Sequence, residues 1–116
     1  MEECKSKVID DFLVIELNEE LDHHNAELIR DEIDKQIEIE DKKYVVFDFN
    51  NVSFMDSSGI GVIMGRYRKV YYMGGRIYVV GINKILDRIF SMSGLYKIVT
   101  KCDSLDDVLH IDMRTC

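Results

Sequence analysis

Two short stretches of the sequence contain the side chains that could carry out chemistry. Asp56-Ser57-Ser58-Gly59 follows an apolar run and precedes a helical pattern, and Asp22-His23-His24 precedes another helical pattern. A serine, a histidine and a carboxylate could serve as nucleophile, base and orienting group in a small serine hydrolase. The usual nucleophile turn has glycine two residues before and two residues after the serine. Ser57 has Met55 at the first of these positions, so the sequence only half fits that catalytic role.

The same residues also permit interpretations without catalysis. Asp56 or Ser57 could be the N-cap of the following helix, because Asp and Ser are favoured there. A metal site that uses the two histidines is disfavoured because the spacing indicates no third ligand. Gly59-Ile60-Gly61 by itself is not a dinucleotide fingerprint. A modifiable hydroxyl is a further alternative, because a phosphate on Ser57 or Ser58 would lie at a helix N-terminus, which favours anions.

Alternating strand and helix patterns surround both stretches. Apolar, β-branched runs predict strands, and apolar residues at helical spacing predict helices. The predicted strands cover residues 8–9, 12–17, 44–49, 76–80 and 98–99. The predicted helices follow Asp22, Gly59, Asn83 and Ser104, and the second covers residues 60–73. This order, β-β-α-β-α-β-α-β-α, predicts an α/β fold with a mostly parallel sheet, right-handed crossovers, four helices and an N-terminal antiparallel hairpin strand.

The helical patterns also predict the buried helix faces. The expected buried residues of the first helix are Ala26, Ile29, Ile33 and Ile37. Those of the second helix are Ile60, Ile63, Met64, Tyr67, Val70 and Tyr71. Those of the third are Ile85, Leu86, Ile89 and Phe90. Gly61 and Gly65 should let the second helix lie close to a neighbouring element, and Asp22, Asn83 and Ser104 are candidate N-caps.

Three loops follow predicted strands and should meet at one end of the sheet. They cover residues 18–24, 51–59 and 81–83. In sheets of this kind, sites are built at the carboxyl ends of the strands. The two polar stretches are therefore expected to lie near each other.

The composition limits the classes of function. The chain has 116 residues and a formal net charge of −7, so we expect one domain over residues 1–116 that binds neither nucleic acid nor an anionic membrane. The sequence shows no transmembrane run and no secretion signal. Its three cysteines have no zinc or disulfide spacing. These features predict a cytoplasmic protein with reduced thiols and no cofactor.

Several motifs together resemble the STAS family of sulfate transporter and anti-sigma factor antagonist domains. The Asp-Ser-Ser-Gly motif extends over residues 54–61, and the resemblance continues over residues 20–27, 65–67 and 90–95. The match runs from about Val8 to Val108, and the Leu-Asp-His-His and Gly-Arg-Tyr stretches point to the sporulation branch of the family. The family usually has glycine where this chain has Glu19, and often has proline at the start of the third helix, where this chain has Asn83-Lys84.

The resemblance implies a regulatory protein rather than an enzyme. Such proteins bind an anti-sigma factor that is also a serine kinase, and they thereby free a sigma factor, here the sporulation sigma factor F. The kinase uses ATP to phosphorylate the first serine of the motif, which is Ser57, and a PP2C-type phosphatase removes the phosphate. The residues expected at the partner face are Asp22, His23, His24, Asp56, Ser58, Gly59, Gly61, Ile82 and Asn83.

Three alternatives remain open from the sequence. One is a general-stress antagonist with a different anti-sigma partner. Another is the serine hydrolase that would use Ser57, and the third is a nucleotide-binding module. The basic residues Arg66, Arg68 and Lys69 are expected on a solvated helix face, with partner contact as the alternative.

Overall fold

The fold is one five-stranded sheet flanked by helices. The computed structural model of the protein describes residues 4–18 and 20–111, so Glu19 lies outside the described residues. The strands are β1 (Cys4–Ile9), β2 (Phe12–Leu17), β3 (Tyr44–Asp48), β4 (Arg76–Val80) and β5 (Thr100–Lys101). The helices are α1 (Ala26–Glu40), α2 (Ser57–Tyr72), α3 (Lys84–Ser93) and α4 (Leu105–Leu109), with a 3-10 turn at Leu95–Lys97.

The sheet has the predicted mixed topology. Its strand order is β1-β2-β3-β4-β5, with β1 and β2 antiparallel and the remaining neighbours parallel. Asp10, with φ 53°, lies in the turn between β1 and β2. The almost uninterrupted apolar run of β3 fits its place in the middle of the sheet, because such a strand is covered on both faces.

Alternate strand residues contribute to two separate cores. Leu13, Ile15, Val45, Phe47 and Val79 face the side covered by α1, α2 and α3. The other side contains a smaller core with α4, formed by Phe12, Val14, Val46, Tyr78, Val80 and Val108. This division follows from the alternation of side chains along a strand. Burial of the predicted residues Ile29, Ile33 and Ile37 is confirmed for α1.

The start of α1 differs from the prediction. Asn25, not Asp22, occupies the N-cap position, and α1 begins at Ala26. The Asp22 carbonyl accepts hydrogen bonds from the N–H groups of Asn25 and Ala26, and its carboxylate accepts one from the N–H of His24. Asp22 therefore forms a separate turn before the helix, because its carboxylate accepts from the N–H of the residue two positions later. Asn83 and Ser104 do cap α3 and α4 as predicted.

The buried face of α2 differs in part from the prediction, which is confirmed for Ile63 and Val70, while Ile60 and Tyr67 are half-buried against the core. Gly59, Val62, Ile63 and Val70 are buried, whereas Met64 and Tyr71 are 36% and 62% exposed. In α3, Ile85 is likewise exposed, while Leu86 and Phe90 are buried as predicted. The helical spacing placed Met64 and Tyr71 inward, whereas a glycine and an arginine occupy inward positions instead.

Gly61 and Gly65 do not make the close approach that was predicted. Among the described residues, nothing lies within 4 Å of a Cβ placed on either glycine. The close approach is at Gly59, where an added Cβ would lie 2.5 Å from the carbonyl oxygen of Leu21 and 2.9 Å from Cβ of Met55. The packing glycine of α2 is therefore in its first turn, at the polar stretch itself.

Ion pairs join α1 and α2, which lie on the same face of the sheet. Arg66 Nε lies 2.9 Å from Asp34 Oδ1, and Lys69 Nζ lies 3.1 Å from Glu38 Oε1. Burial lowers the pKa of Arg66, and the charge of Asp34 opposes this shift. Arg66 and Lys69 thus join the two helices. Of the three basic residues that were expected on a solvated helix face, Arg68 is exposed as expected.

The last strand begins later than predicted. Residues 98–99 belong to a turn, because the N–H groups of Ile98 and Val99 both bond to the carbonyl of Leu95. Gly94, with φ 84°, ends α3 as predicted and leads into this turn. Pairing with β4 then starts at Thr100 and covers two residues.

Candidate functional site

The three loops at the carboxyl ends of β2, β3 and β4 meet as predicted. Leu21 and Met55 form an isolated parallel bridge. The Ser53 hydroxyl donates to Glu20 Oε1 at 3.0 Å, which joins the first loop to the second. The Asn83 amide donates to the carbonyl oxygen of Val52 at 3.2 Å, which joins the third loop to the second. The polar stretches are therefore held at one edge of the sheet.

The Asp56 carboxylate organises the start of α2. Its Oδ1 accepts from the N–H of Ser58 at 2.8 Å and of Gly59 at 3.4 Å. Its Oδ2 accepts from the N–H of His23 at 3.2 Å. Asp56 is thus the N-cap of α2, as one interpretation of the sequence predicted, and it also fixes the loop before α1.

These bonds decide the charge of Asp56. Burial raises the pKa of this carboxyl and is the largest single contribution. The hydrogen bonds from the backbone N–H groups of Ser58, His23 and Gly59, together with the contact to the His23 ring, outweigh it and lower the pKa below 3.8. Each of these N–H donors favours the ionised carboxylate. Asp56 therefore places a full negative charge beside Ser57 at neutral pH.

We expect the Asp56 cap to stabilise the fold in a pH-dependent way. Because the folded pKa lies below the unfolded value, the stabilisation is present above pH 3.8 and is lost as the pH falls through the folded pKa. Denaturant melts of the natural protein and of Asp56→Ala should therefore differ at neutral pH and converge in strong acid. Asp103→Ala, which replaces an exposed carboxylate outside the helices and strands, is the matched control. A difference that stays constant with pH would contradict the assignment.

Ser57 is the exposed hydroxyl of the motif. It is the first residue of α2, and among the described residues no hydrogen bond occupies its side chain. Ser58 is half-buried, and Gly59 is buried beneath Leu21. A reagent approaching this edge of the sheet therefore meets the Ser57 hydroxyl before that of Ser58.

The two histidines lie beside the motif. Their ring centroids are 4.0 Å apart, and both side chains are exposed. His23 Nδ1 lies 3.5 Å from Asp56 Oδ2, and His24 Nδ1 lies 3.9 Å from Asp22 Oδ1. Within residues 4–18 and 20–111, neither imidazole is hydrogen-bonded to Ser57, and no cluster of three or more His, Cys, Asp or Glu could hold a metal. The histidines pair with carboxylates rather than with the serine.

The remaining predicted partner residues lie around the same edge. Gly61 is exposed on α2 and Ile82 is half-buried. Asn83 accepts from the N–H of Leu86 at 2.8 Å, so it caps α3 while it holds the neighbouring loop. The exposed or half-exposed members could reach a partner directly, whereas Gly59 contributes through the shape of the turn.

Sequence reasoning missed an apolar surface next to the motif. Phe54 is 45%, Ile85 58% and Met92 81% exposed, and together with Ile89 they line an open groove of about 700 Å³. The helical spacing predicted Ile85 and Ile89 as buried residues of α3, and it made no prediction about the exposure of Phe54 and Met92. We call Phe54, Ile85, Ile89 and Met92 the apolar patch.

Comparisons with known proteins agree with one another. The protein-family model described as the STAS domain matches residues 3–108 of this chain. The anti-sigma F factor antagonist of Paenibacillus polymyxa is 39% identical over 92 residues, which are 79% of each chain. The solved anti-sigma factor antagonist SpoIIAA in its unphosphorylated form has a TM-score of 0.77 and 29% identity, covering 91% of this chain and 92% of that one. The Bacillus cell fate determinant SpoIIAA in the phosphorylated form has a TM-score of 0.70 and 29% identity, covering 91% and 96%.

No helix in the described part of the chain has both the length and the apolar character needed to cross a membrane.

Proposed function

The chain belongs to the STAS family, among its anti-sigma factor antagonists, and we propose that it binds an anti-sigma factor that is also a serine kinase. Binding releases the sporulation sigma factor F from that anti-sigma factor. Phosphorylation of Ser57 switches the antagonist off, and a PP2C-type phosphatase restores it. The relatives named anti-sigma F factor antagonists support the choice of sigma factor, and the solved neighbour in a phosphorylated form supports the switch.

The observation that carries this proposal is the exposure of Ser57 at the N-terminus of α2. The kinase transfers the γ-phosphoryl group of ATP to the Ser57 hydroxyl oxygen, ADP leaves, and the hydroxyl proton passes to a base of the kinase. The backbone N–H groups at the start of a helix favour the phosphate once it is formed. The protein is then a substrate and a switch, and ATP and the catalytic base belong to the kinase. Because the cycle consumes ATP, it takes place in the cytoplasm.

The proposed partner face surrounds Ser57. Asp22, His23 and His24 form one side of it, and Ser58, Gly61, Ile82 and Asn83 form the other. The apolar patch extends this face along α3, and exposed aromatic and methionine side chains are typical of interface centres. A complementary surface pressed against this face would enclose the Ser57 hydroxyl.

We expect one kinase to label Ser57 alone. The protein, Ser57→Ala and Ser58→Ala are each incubated with candidate anti-sigma kinases and ATP, and the product is weighed by mass spectrometry. Ser57→Ala should abolish labelling and Ser58→Ala should leave it largely intact, because Ser58 is half-buried behind the cap. Thr100→Ala, at an exposed hydroxyl of β5 outside the proposed partner face, controls for unspecific labelling. Labelling that follows Ser58 would move the phosphoacceptor by one residue.

Kinase labelling and an ester-hydrolysis assay of the same variants separate the alternatives. Labelling by a general-stress kinase, and not by the sporulation kinase, would favour the general-stress antagonist. Turnover of simple esters by the purified protein, lost in Ser57→Ala, would favour the hydrolase. The contacts of His23 and His24 with carboxylates give that alternative no activated serine.

A further inference from the structure

A cleft at the far end of α2 differs in chemistry from the rest of this acidic chain. It measures about 600 Å³ and lies between the end of α2, the start of β4 and the turn before β5. Three tyrosines, Tyr67, Tyr71 and Tyr96, line it together with Arg76 and Lys97. We call these five residues the tyrosine cleft.

The tyrosine cleft has an unbalanced positive charge. The whole chain has 22 acidic and 15 basic residues, yet no Asp or Glu is among the residues that line the cleft in the described structure. Within residues 4–18 and 20–111, neither Arg76 nor Lys97 forms an ion pair, whereas Lys69 and Lys101 do. Asp87, which accepts from the Tyr96 hydroxyl at 2.5 Å, is already paired with Lys101 at 3.0 Å. The two cations of the cleft are therefore available for an anionic ligand.

The aromatic surface continues beyond the cleft. The rings of Tyr67 and Tyr71 have centroids 5.6 Å apart, and Tyr72 follows with its centroid 6.3 Å from that of Tyr71. Tyr72 is 87% exposed. Tyrosine and arginine are enriched where proteins bind each other, because they offer large, rigid contact areas with polar tips. A ligand that covers these rings must be longer than a small molecule, which a protein usually encloses by 70–90% of its surface.

We propose that the tyrosine cleft binds an acidic, extended segment of a partner protein. Its carboxylates pair with Arg76 and Lys97, and an apolar side chain packs on Tyr67 and Tyr71. Arg76 can bind a carboxylate through two parallel N–H groups. A nucleic acid or a second copy of this chain fits less well, because the net charge of −7 on this protein repels any large anion. A short acidic segment contacts only the positively charged cleft.

This interaction is separate from the switch at Ser57. Ser57 begins α2 and the tyrosine cleft lies at its other end, and a helix of 16 residues is about 24 Å long. Exposed charges this far apart are screened from each other at physiological salt. The cleft could therefore hold a second protein while the anti-sigma factor occupies the partner face.

The test is a titration of the 15N-labelled full chain with a synthetic peptide in which glutamates flank one phenylalanine. Amide shifts should change at Tyr71, Gly74, Gly75 and Lys97, should weaken with added salt, and should be absent with the glutamine version of the peptide. The double variant Arg76→Glu, Lys97→Glu should bind at least ~10-fold more weakly. Lys5→Glu, Lys7→Glu on β1 makes the same change in net charge at exposed residues and should bind as the natural protein does.

Four outcomes would overturn the proposal. Equal weakening in the Lys5, Lys7 variant would reduce the effect to net charge. Shifts produced by adenosine monophosphate and not by the peptide would make the cleft a small-anion site. Concentration-dependent self-association lost in the Arg76, Lys97 variant would make a second copy the occupant. Loss of anti-sigma binding in that variant would join the cleft to the partner face, whereas failure of kinase labelling at Ser57 leaves the peptide result untouched.

Discussion

Gly59→Ala is expected to destabilise the protein by about 3 kcal/mol, while Gly61→Ala on the same helix stabilises it by about 0.5–1 kcal/mol. A Cβ at Gly59 would lie 2.5 Å from the carbonyl oxygen of Leu21, so backbone must move. The N–H of Asp56 donates to that same oxygen at 3.3 Å, which couples the strain to the helix cap. At Gly61 nothing in the described structure lies within 4 Å of the added atom, and alanine gains only helix propensity.

Thermal and urea melts of both variants test this pair of opposite effects. A loss of about 3 kcal/mol should lower the melting temperature by roughly 10 °C for a chain of this size. Since Gly61 is exposed at the proposed partner face, Gly61→Ala also tests whether a stabilising change there weakens anti-sigma binding. Similar melting temperatures for the two variants would contradict the packing of Gly59 against Leu21.

Regular periodicity made most of the architecture predictable. Local sequence patterns predicted the hairpin of β1 and β2, the buried stripe of α1 and the bounds of β4. The meeting of the three loops follows from topology, because parallel strands end at one edge. The caps at Asp56, Asn83 and Ser104 are short-range hydrogen bonds, which sequence spacing describes well.

The failures have a common physical cause in tertiary contacts. Arg66 takes an inward position on α2 because it pairs with Asp34 of α1. No local sequence pattern indicates that these two residues, which are far apart in the chain, form a pair. Asp22 forms a turn instead of a cap because Asn25 follows it and the loop is tied to Asp56. The apolar patch was missed because the exposure of Ile85, Phe54 and Met92 depends on which surfaces the tertiary packing leaves uncovered.

Phosphorylation of Ser57 is expected to leave the fold almost unchanged and to reduce anti-sigma affinity by at least ~1.4 kcal/mol, which is tenfold. A phosphate adds roughly −1.5 to −2 charge at neutral pH. The N-terminus of α2 favours this anion by ~0.3–1 kcal/mol. Asp56 is ionised and adjacent, so repulsion offsets part of that gain. The buried residues Val62, Ile63 and Val70 pack on the sheet, away from the exposed Ser57 side chain.

The affinity is lost at the interface because a complementary surface would have to remove water from the new charge. Desolvating an unpaired charge costs several kcal/mol, and the bulk of the phosphate also separates the two surfaces. Ser57→Asp adds one charge and less bulk, so it should reproduce the loss in part. Lys35→Glu, on the exposed side of α1, changes the net charge by about as much as the phosphate and should bind as the natural protein does.

Melts and anti-sigma binding of the unmodified, phosphorylated, Ser57→Asp and Lys35→Glu forms distinguish two mechanisms. If the switch acts at the interface, the melting temperatures stay within a few degrees of one another while binding falls only in the two Ser57 forms. A phosphorylated protein that melts far lower, with binding lost in proportion to unfolding, would show that repulsion from Asp56 breaks the cap of α2. In that case Asp56→Asn should restore part of the stability and binding of the phosphorylated form, because the asparagine oxygen still caps α2 without a charge, while its amide nitrogen cannot accept from the N–H of His23.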